Sequence, residues 1–554
     1  MKQERERVFQ PVLFSLFKQG GLRENFSKDI LAGIVVGIVA IPLAIAFAVA
    51  SGVSPEKGVM TAIIAGFIVS FLGGSRVQIG GPTGAFIVIV YGIINDYGLE
   101  GMIISTIMAG LMLIAFGFMR LGTFLKFIPH PLIVGFTSGI ALVIFSTQIS
   151  NAFGLTLPEN PSEFIAKWRV YFENIGTINW WATGITVATI LISVFSKKVI
   201  KVIPGSFIAI ILMTLVTSLC ELPVTTIGTL YGEIKLNFAP TFPSVEFGEL
   251  GQYLQPAFTI AILGAIESLL SAVVADGMIS SQHRSNTELI AQGVANVVSP
   301  LFGGIPATGA IARTATNIKN GGRTPVAGMT HAIVILLIML FFGKWAALIP
   351  MSCLAGILIV VSYNMSEWRT FRSVLRASYF DVIILLATFF ITVLVDLTVA
   401  LEIGIVLASL MFMKRMADNA PKDIMTGSNV DQDVLDNYHD IPSTVGIYEI
   451  SGPFFFGSAK TYCQTIRAMG IKYKVLIIRM RHVPFVDTTA IKNLRETIHQ
   501  LQTAGTKIIL SGVNDKVRKD LIRFGIGEQI GEDSIYPKFD LALYGAMDYV
   551  TKVE

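Results

Sequence analysis

Length, composition and charge define the broad class of this chain. It has 554 residues, of which 53% are hydrophobic and only 14% are charged. Because a soluble domain carries about 25% charged residues, a large part of the chain must face a medium other than water. A net charge of +4 gives no indication of nucleic-acid binding. The three cysteines (Cys220, Cys353, Cys463) show no CxxC spacing and do not predict a disulfide framework.

The apolar residues are concentrated between residues 29 and 415, which we interpret as a membrane domain. Residues 1–28 are polar and amphipathic and are a predicted cytoplasmic segment. The first apolar segment is long and lacks the small-residue cleavage site of a signal peptide, so it predicts a retained transmembrane helix. Residues 416–440 are a predicted linker, and residues 441–554 have the composition of a soluble domain.

Long apolar runs predict fourteen membrane spans in two groups of seven, since a helix crosses the hydrocarbon core in about 20 residues. The first group consists of 29–51, 58–73, 82–95, 100–122, 126–148, 178–196 and 200–219. The second group consists of 256–275, 286–303, 310–319, 324–343, 345–361, 380–396 and 398–413. The amphipathic stretch 160–173 is predicted to be a surface helix outside the membrane.

The distribution of basic residues supports this topology. With the N-terminus inside, twenty Lys and Arg residues fall in cytoplasmic segments. Five fall outside: Lys57, Lys167, Arg169, Lys235 and Lys344. Cytoplasmic loops carry an excess of Lys and Arg, so both termini are predicted to be cytoplasmic.

The third span of each group is short and follows a cluster of small residues and proline. The clusters and the first helical residues after them are Gly81, Pro82, Thr83, Gly84 and Ala85 in one half, and Thr308, Gly309, Ala310, Ile311 and Ala312 in the other. Interrupted spans in corresponding places of two halves indicate a transporter's substrate site. Two helix N-termini would meet at the midplane and attract an anion. Close helix packing through small residues is the alternative.

Two charged residues lie within predicted spans. Arg313 falls on the first turn of span ten, where a charge costs roughly 2.5–3.5 kcal/mol on insertion scales, and Glu267 lies in the apolar span eight. They could form a structural ion pair. Alternatively, Arg313 meets the anion while Glu267, with Ser271 one turn away, titrates or binds a coupling cation, either H+ or Na+.

These residues resemble the sulfate permease (SulP/SLC26) family of anion transporters. The resemblance lies in the first-span run Val39–Ala48, in Gly81–Ala85, in the stretch from Glu267 to Gly328, and in a tail similar to a STAS domain. It implies a helical 7+7 inverted repeat and a homodimer. A core domain (spans 1–4 and 8–11) would move against a gate domain (spans 5–7 and 12–14). The substrate site would lie between spans one, three, eight and ten and include Phe47.

The resemblance also assigns roles to individual positions. Arg313 matches the anion-site arginine of the animal exchangers, prestin and the plant sulfate transporters, and Glu267 matches the span-eight acid of plant proton–sulfate symporters. The cyanobacterial sodium–bicarbonate members have an aspartate at that place and no basic residue at the position of Arg313. Leu43 departs from the glutamine of many members, and the bicarbonate members are also apolar there.

The tail alternates strand-like and helical patterns, which predicts a small α/β domain. Strands are predicted at 445–450, 474–480 and 507–510, and helices at 488–502 and 515–524. Asp487 and Thr488 lie at a strand-to-helix junction similar to the STAS loop that can be phosphorylated, which makes them candidate regulatory residues. A plain helix N-cap is the other interpretation.

Together these patterns predict a secondary active transporter of a small inorganic anion, most simply sulfate, in the inner membrane. Bicarbonate and C4-dicarboxylates are alternatives, and a membrane sensor that signals to a cytoplasmic partner is an alternative of another class. No GxxxxGK[ST] motif supports ATP drive. No catalytic or metal-binding constellation points to an enzyme, and no cofactor is expected.

Overall fold

The structure is a computed structural model with two compact units, Met1–Ile405 and Val406–Glu554. It describes residues 9–123, 129–159, 161, 163–196, 205–232, 234–244, 247–395, 397–418 and 441–553. Residues 1–8 of the N-terminal segment and 419–440 of the predicted linker therefore lie outside the described residues. The domain boundary predicted at 415/416 falls inside a helix, and it stays a prediction.

The region before residue 419 is built almost entirely from α-helices. Up to the first interrupted span, these are α1 (Val12–Lys18), α2 (Gly21–Ala50), α3 (Pro55–Leu72), strand β1 (Gly80–Gly81) and α4 (Phe86–Phe118). Next come α5 (His130–Phe153), α6 (Phe164–Glu173), α7 (Trp180–Phe195), α8 (Gly205–Leu219) and α9 (Ile227–Tyr231).

The second half has a corresponding order. It consists of α10 (Leu254–Ile279), α11 (Ser285–Leu301), strand β2 (Thr308–Gly309), α12 (Ile311–Lys319), α13 (Val326–Ala346), α14 (Met351–Met365), α15 (Trp368–Val374), α16 (Tyr379–Leu394) and α17 (Leu397–Asp418). Short 3-10 turns occupy Ile175–Thr177 and Phe247–Tyr253.

Membrane-spanning length is reached by several of these helices. Within the described residues, six helices are long and apolar enough to cross a bilayer, and three shorter apolar ones are α7, α8 and α16. The helical class is thus confirmed, whereas the count of fourteen spans stays a prediction. The predicted spans 82–95 and 100–122 are joined as α4 across a break at Gly98, whose φ of 69° interrupts the helix.

The tail unit contains a four-stranded parallel sheet covered by helices on both faces. Its strands are β3 (Val445–Ser451), β4 (Val475–His482), β5 (Lys507–Ser511) and β6 (Ile535–Tyr536), hydrogen-bonded in that order. Its helices are α18 (Phe456–Gly470), α19 (Thr488–Thr503), α20 (Asp515–Arg523), α21 (Ile526–Ile530) and α22 (Phe539–Val553). A short 3-10 turn spans Glu532–Ser534.

Two buried clusters hold this sheet between its helices. Leu476 and Ile478 of β4 pack into the cluster that contains α18 and α19. Val475 and Ile477 face the other side, where α22 contributes Leu543 and its neighbours. Because side chains alternate across a strand, β4 is apolar on both faces, as expected of a covered parallel strand. The predicted α/β tail is confirmed; α18 and α22 were not predicted.

The junction at Asp487 has the N-cap geometry. One carboxylate oxygen of Asp487 accepts a hydrogen bond from the Ala490 N–H (2.7 Å), and the other accepts one from the Phe456 N–H (2.9 Å). The side chain therefore caps α19 and ties it to the start of α18. The Thr488 side chain is exposed beside it.

We predict that Asp487→Ala weakens this junction, since loss of a capping carboxylate costs about 1 kcal/mol. Hydrogen exchange measured on the full chain should be roughly fivefold faster in peptides covering Phe456 and Ala490. Thr488→Ala is the control and should leave both unchanged. Equal exchange in Asp487→Ala and the parent would contradict the capping role.

Candidate functional site

Two short strands join the interrupted spans. Gly80 pairs with Gly309 and Gly81 pairs with Thr308 in antiparallel register, and the Ala310 N–H donates to the Ile79 carbonyl at 2.9 Å. Backbone groups that leave a helix inside a membrane need partners within the protein. The pairing supplies them, so it brings the two predicted small-residue clusters into direct contact.

Glycine is required where the paired loops approach their neighbours. Gly81 has a φ of 146°, and a Cβ placed on it would overlap the Arg313 guanidinium. A Cβ on Gly84 would lie 2.8 Å from the Met365 sulfur of α14. The cluster therefore needs small residues for a close approach to Arg313 as well as for helix packing.

Arg313 is the charged residue at the centre of this arrangement. It lies on the first turn of α12, its side chain is only 2% exposed, and its Nη2 donates to the Pro82 carbonyl. Its Nη1 is buried and has no hydrogen-bond acceptor in the part of the chain that the structure describes. A buried donor on a charged group costs free energy unless a partner arrives, so this nitrogen is suited to bind an anion.

Glu267 reaches the same loop from α10. Its Oε2 accepts a hydrogen bond from the Thr83 hydroxyl at 3.0 Å, next to the Pro82 carbonyl that Arg313 binds. The direct ion pair between Glu267 and Arg313, one alternative left open by the sequence, is not among the contacts of the described residues. The carboxylate and the guanidinium are instead joined through consecutive residues of the first loop.

The other predicted residues of α10 and β2 hold the loops in place. The Thr308 hydroxyl donates to the Gly264 carbonyl at 3.0 Å. Ser271 donates to the Thr314 hydroxyl (3.3 Å), which in turn accepts from the Ile79 N–H at 3.1 Å. Ser271 is thus connected to α12 rather than to Glu267, and its part in binding a coupling ion stays a prediction.

Two helix N-termini flank Arg313. The helix α4 begins at Phe86, after Ala85, and α12 begins at Ile311, after Ala310; neither Ala85 nor Ala310 offers a capping side chain. The first N–H groups of a helix have no acceptor within it and carry a partial positive charge. At α4 the Phe86 and Ile87 N–H groups bond to the Thr83 and Gly84 carbonyls, so α4 contributes its dipole. The donors come from the start of α12 and from the guanidinium, and together they form a positive cluster that can bind a small anion.

A set of buried polar residues that the sequence patterns did not predict fixes the loops. The Asn296 amide makes two 2.8 Å bonds to the backbone of Ala307. One carboxylate oxygen of Glu288 accepts from the Gly74 N–H (2.8 Å), and Asp29 accepts from the Thr324 N–H (3.1 Å). The sequence signal for these residues is a polar side chain inside, or at the end of, an otherwise apolar run.

Other predicted residues make no side-chain hydrogen bond to the paired loops within the described part of the chain. Phe47 is buried on α2, and its role in the site stays a prediction. Ile311 and Ala312 follow Ala310 with exposed side chains. Asp487 and Thr488 belong to the tail unit. Within the described residues, no group of three His, Cys, Asp or Glu side chains could hold a metal ion, and a sodium site at Glu267 stays a prediction.

A multi-span helical domain with paired, interrupted spans, followed by a small α/β domain, defines a multi-pass membrane transporter with the anion-transporter fold. The chain belongs to the sulfate permease family, which matches residues 26–388, and it carries a STAS domain at residues 438–542.

Two named relatives and one solved structure are similar to this chain, in agreement with the family assignment. The chain is 42% identical to YvdB of Bacillus subtilis, a provisionally named sulfate transporter, over 93% of this chain and 97% of that protein. It is 30% identical to the bicarbonate transporter BicA of Picosynechococcus sp., over 94% and 95%. The murine Slc26a9 anion transporter in its inward-facing state has the same fold, with a TM-score of 0.85, 20% identity and coverage of 99% and 97%.

We predict that Gly81→Ala disrupts the site from the backbone side. A side chain at this φ costs about 1–3 kcal/mol and would displace the Arg313 guanidinium. Anion affinity, measured by thermal shift or equilibrium binding, should fall by about tenfold. Gly92→Ala is a matched control on α4, because its Cβ would meet nothing within 4 Å. Parent-like affinity in Gly81→Ala would contradict the arrangement.

Proposed function

We propose that the chain is a secondary active transporter of a small inorganic anion, with sulfate the first choice, driven by a proton or sodium gradient. The observation that carries the proposal is the buried Nη1 of Arg313. It has no acceptor among the described residues and lies on the first turn of α12, near the start of α4. A doubly charged oxyanion offers several acceptors to such a donor cluster.

The choice between sulfate and bicarbonate rests on two positions and on two relatives. Arg313 favours sulfate, and the relative with the higher identity, YvdB, carries a sulfate-transporter name. Leu43 is apolar, as in the bicarbonate members, and BicA aligns over nearly the whole chain. Bicarbonate is therefore the second candidate anion.

Glu267 is proposed as the coupling residue. Its carboxylate oxygen bonds to Thr83, so protonation or sodium binding at Glu267 would act on the loop that also binds Arg313. Neutralising the Glu267 carboxylate would change the electrostatic field at the anion site beside Arg313. Binding of the driving ion would in this way be coupled to binding of the substrate.

We further propose the setting in which the site works. The core helices that hold the paired loops would move as a body against the gate, as an elevator, in a homodimer in the inner membrane. Both termini would be cytoplasmic, and the exposed Thr488 would be open to a regulatory modification. The family membership supports this setting.

We predict that proteoliposomes containing the chain take up labelled sulfate in preference to labelled bicarbonate and dicarboxylates. Sulfate uptake should depend on an imposed proton or sodium gradient. Proteoliposomes without protein are the control. Gradient-dependent bicarbonate uptake with no sulfate uptake would transfer the substrate assignment to bicarbonate, and no anion uptake under any gradient would contradict the transporter proposal.

We predict that Arg313→Ala strongly weakens anion binding. Loss of hydrogen bonds to a charged group costs about 1.5–3 kcal/mol, or roughly 10- to 150-fold in Kd. Calorimetry or thermal shift measures the change. The control is Lys319→Gln, which removes an exposed positive charge from the end of the same helix. Unchanged affinity in Arg313→Ala would remove Arg313 from the site.

We predict that Glu267→Gln keeps anion binding and loses coupling. The amide can still accept from Thr83 but cannot titrate or hold a cation. Uptake should become insensitive to proton and sodium gradients, whereas counterflow exchange persists. Glu100→Gln, at an exposed acid on α4, is the control. A parent-like gradient dependence in Glu267→Gln would exclude the coupling role.

A further inference from the structure

An apolar groove of about 570 Å³ lies between α5, α14, α15 and α16. Apolar side chains dominate its walls: Leu142 and Phe145 of α5, Ile359 of α14, Phe371 of α15, and Phe389 and Phe390 of α16. An apolar groove of this volume inside a membrane protein suits a hydrocarbon chain.

The groove is separate from the candidate anion site. On α5 and α14 the side chains that approach Gly84 of the first paired loop are Ile144 and Met365. Neither of these lines the groove, which uses other faces of the same two helices, including Leu142 and Ser362. A ligand in the groove would therefore contact the gate helices without touching Arg313.

One end of the groove is polar and aromatic. Trp368, at the start of α15, lines it and donates from its indole N–H to the Tyr363 hydroxyl at 3.1 Å. The Ser138 hydroxyl donates to the Ser366 carbonyl at 2.6 Å nearby. Trp and Tyr side chains are enriched at the level of lipid headgroups, so this end of the groove has the character of the membrane interface.

Three arginines follow the polar end. Arg369 lies over the Trp368 ring, 5.6 Å from its centroid, and Arg372 and Arg376 continue along and just after α15. All three side chains are exposed, and in the described part of the chain no ion pair joins any of them to a carboxylate. Glu367 is the nearest acid in sequence. The segment therefore presents a net positive surface beside an apolar channel.

From this charge complementarity we infer that the groove binds an anionic phospholipid. One acyl chain occupies the groove between α5, α14 and α16, and the headgroup phosphate is held by the arginines in and just after α15. The topology predicted from the basic residues places this loop on the cytoplasmic side, where anionic headgroups attract basic side chains. The bound lipid would stabilise the gate helices against which the core moves.

Brominated lipids test this directly, because Trp368 reports on the groove. The full chain, with Trp168, Trp180, Trp181 and Trp345 changed to Phe, keeps Trp368 as its single tryptophan. In phosphatidylcholine vesicles, dibrominated phosphatidylglycerol should quench Trp368 at about a tenfold lower mole fraction than dibrominated phosphatidylcholine. In Arg369→Gln/Arg372→Gln/Arg376→Gln the two lipids should quench equally.

A matched charge variant and a groove variant complete the experiment. Lys18→Gln/Arg23→Gln/Lys28→Gln removes three exposed charges elsewhere and should keep the preference for phosphatidylglycerol. Ala141→Phe narrows the groove, leaves the arginines in place and should reduce quenching by both lipids.

Equal quenching by the two lipids in the parent, or a preference that survives loss of the arginines, overturns the inference. Absence of quenching together with a Leu142→Cys disulfide between copies would assign the groove to a second copy and overturn it as well.

Discussion

The architecture of this protein depends on one short interaction, the antiparallel pairing of Gly80 and Gly81 with Gly309 and Thr308. Each interrupted span leaves backbone N–H and C=O groups without helical partners, and a membrane offers no water to satisfy them. The two breaks satisfy each other although the paired residues lie more than 220 positions apart in the sequence. The same pairing places the start of α4 near the start of α12, so satisfying the backbone also creates a positive cluster.

The cluster is held by charge and by polar contacts from several helices. Arg313 donates to Pro82 and Glu267 accepts from the adjacent Thr83. An acidic and a basic side chain therefore bind the same loop without a direct ion pair between them. Behind them, Asn296 and Glu288 bond the backbone on either side of the paired strands. These contacts satisfy buried polar groups and preorganise a donor site. Within the described residues, the donor of this site that still lacks an acceptor is the Arg313 Nη1.

The sequence predicted the parts of this arrangement that periodicity and composition record. Two short spans in matching places, the small-residue clusters and a lone intramembrane arginine all follow from pattern, and the α/β tail follows from alternation. The strand pairing could not be predicted, since two-residue strands carry no periodic signal. The Thr83–Glu267 bond depends on the tertiary approach of α10, which left the ion-pair alternative open. The break at Gly98 falls between two predicted spans that the structure joins as α4, because a single glycine can redirect a helix without a loop.

The proposed transport site requires that an anion occupies the space beside Arg313. The most direct measurement is a crystal structure of the full chain with selenate, whose selenium gives an anomalous signal at a sulfate-like position. We expect one anomalous peak within hydrogen-bond distance of the Arg313 Nη1 and the first N–H groups of α12. A peak elsewhere in the membrane domain, or none at a selenate concentration that blocks sulfate uptake, would contradict it.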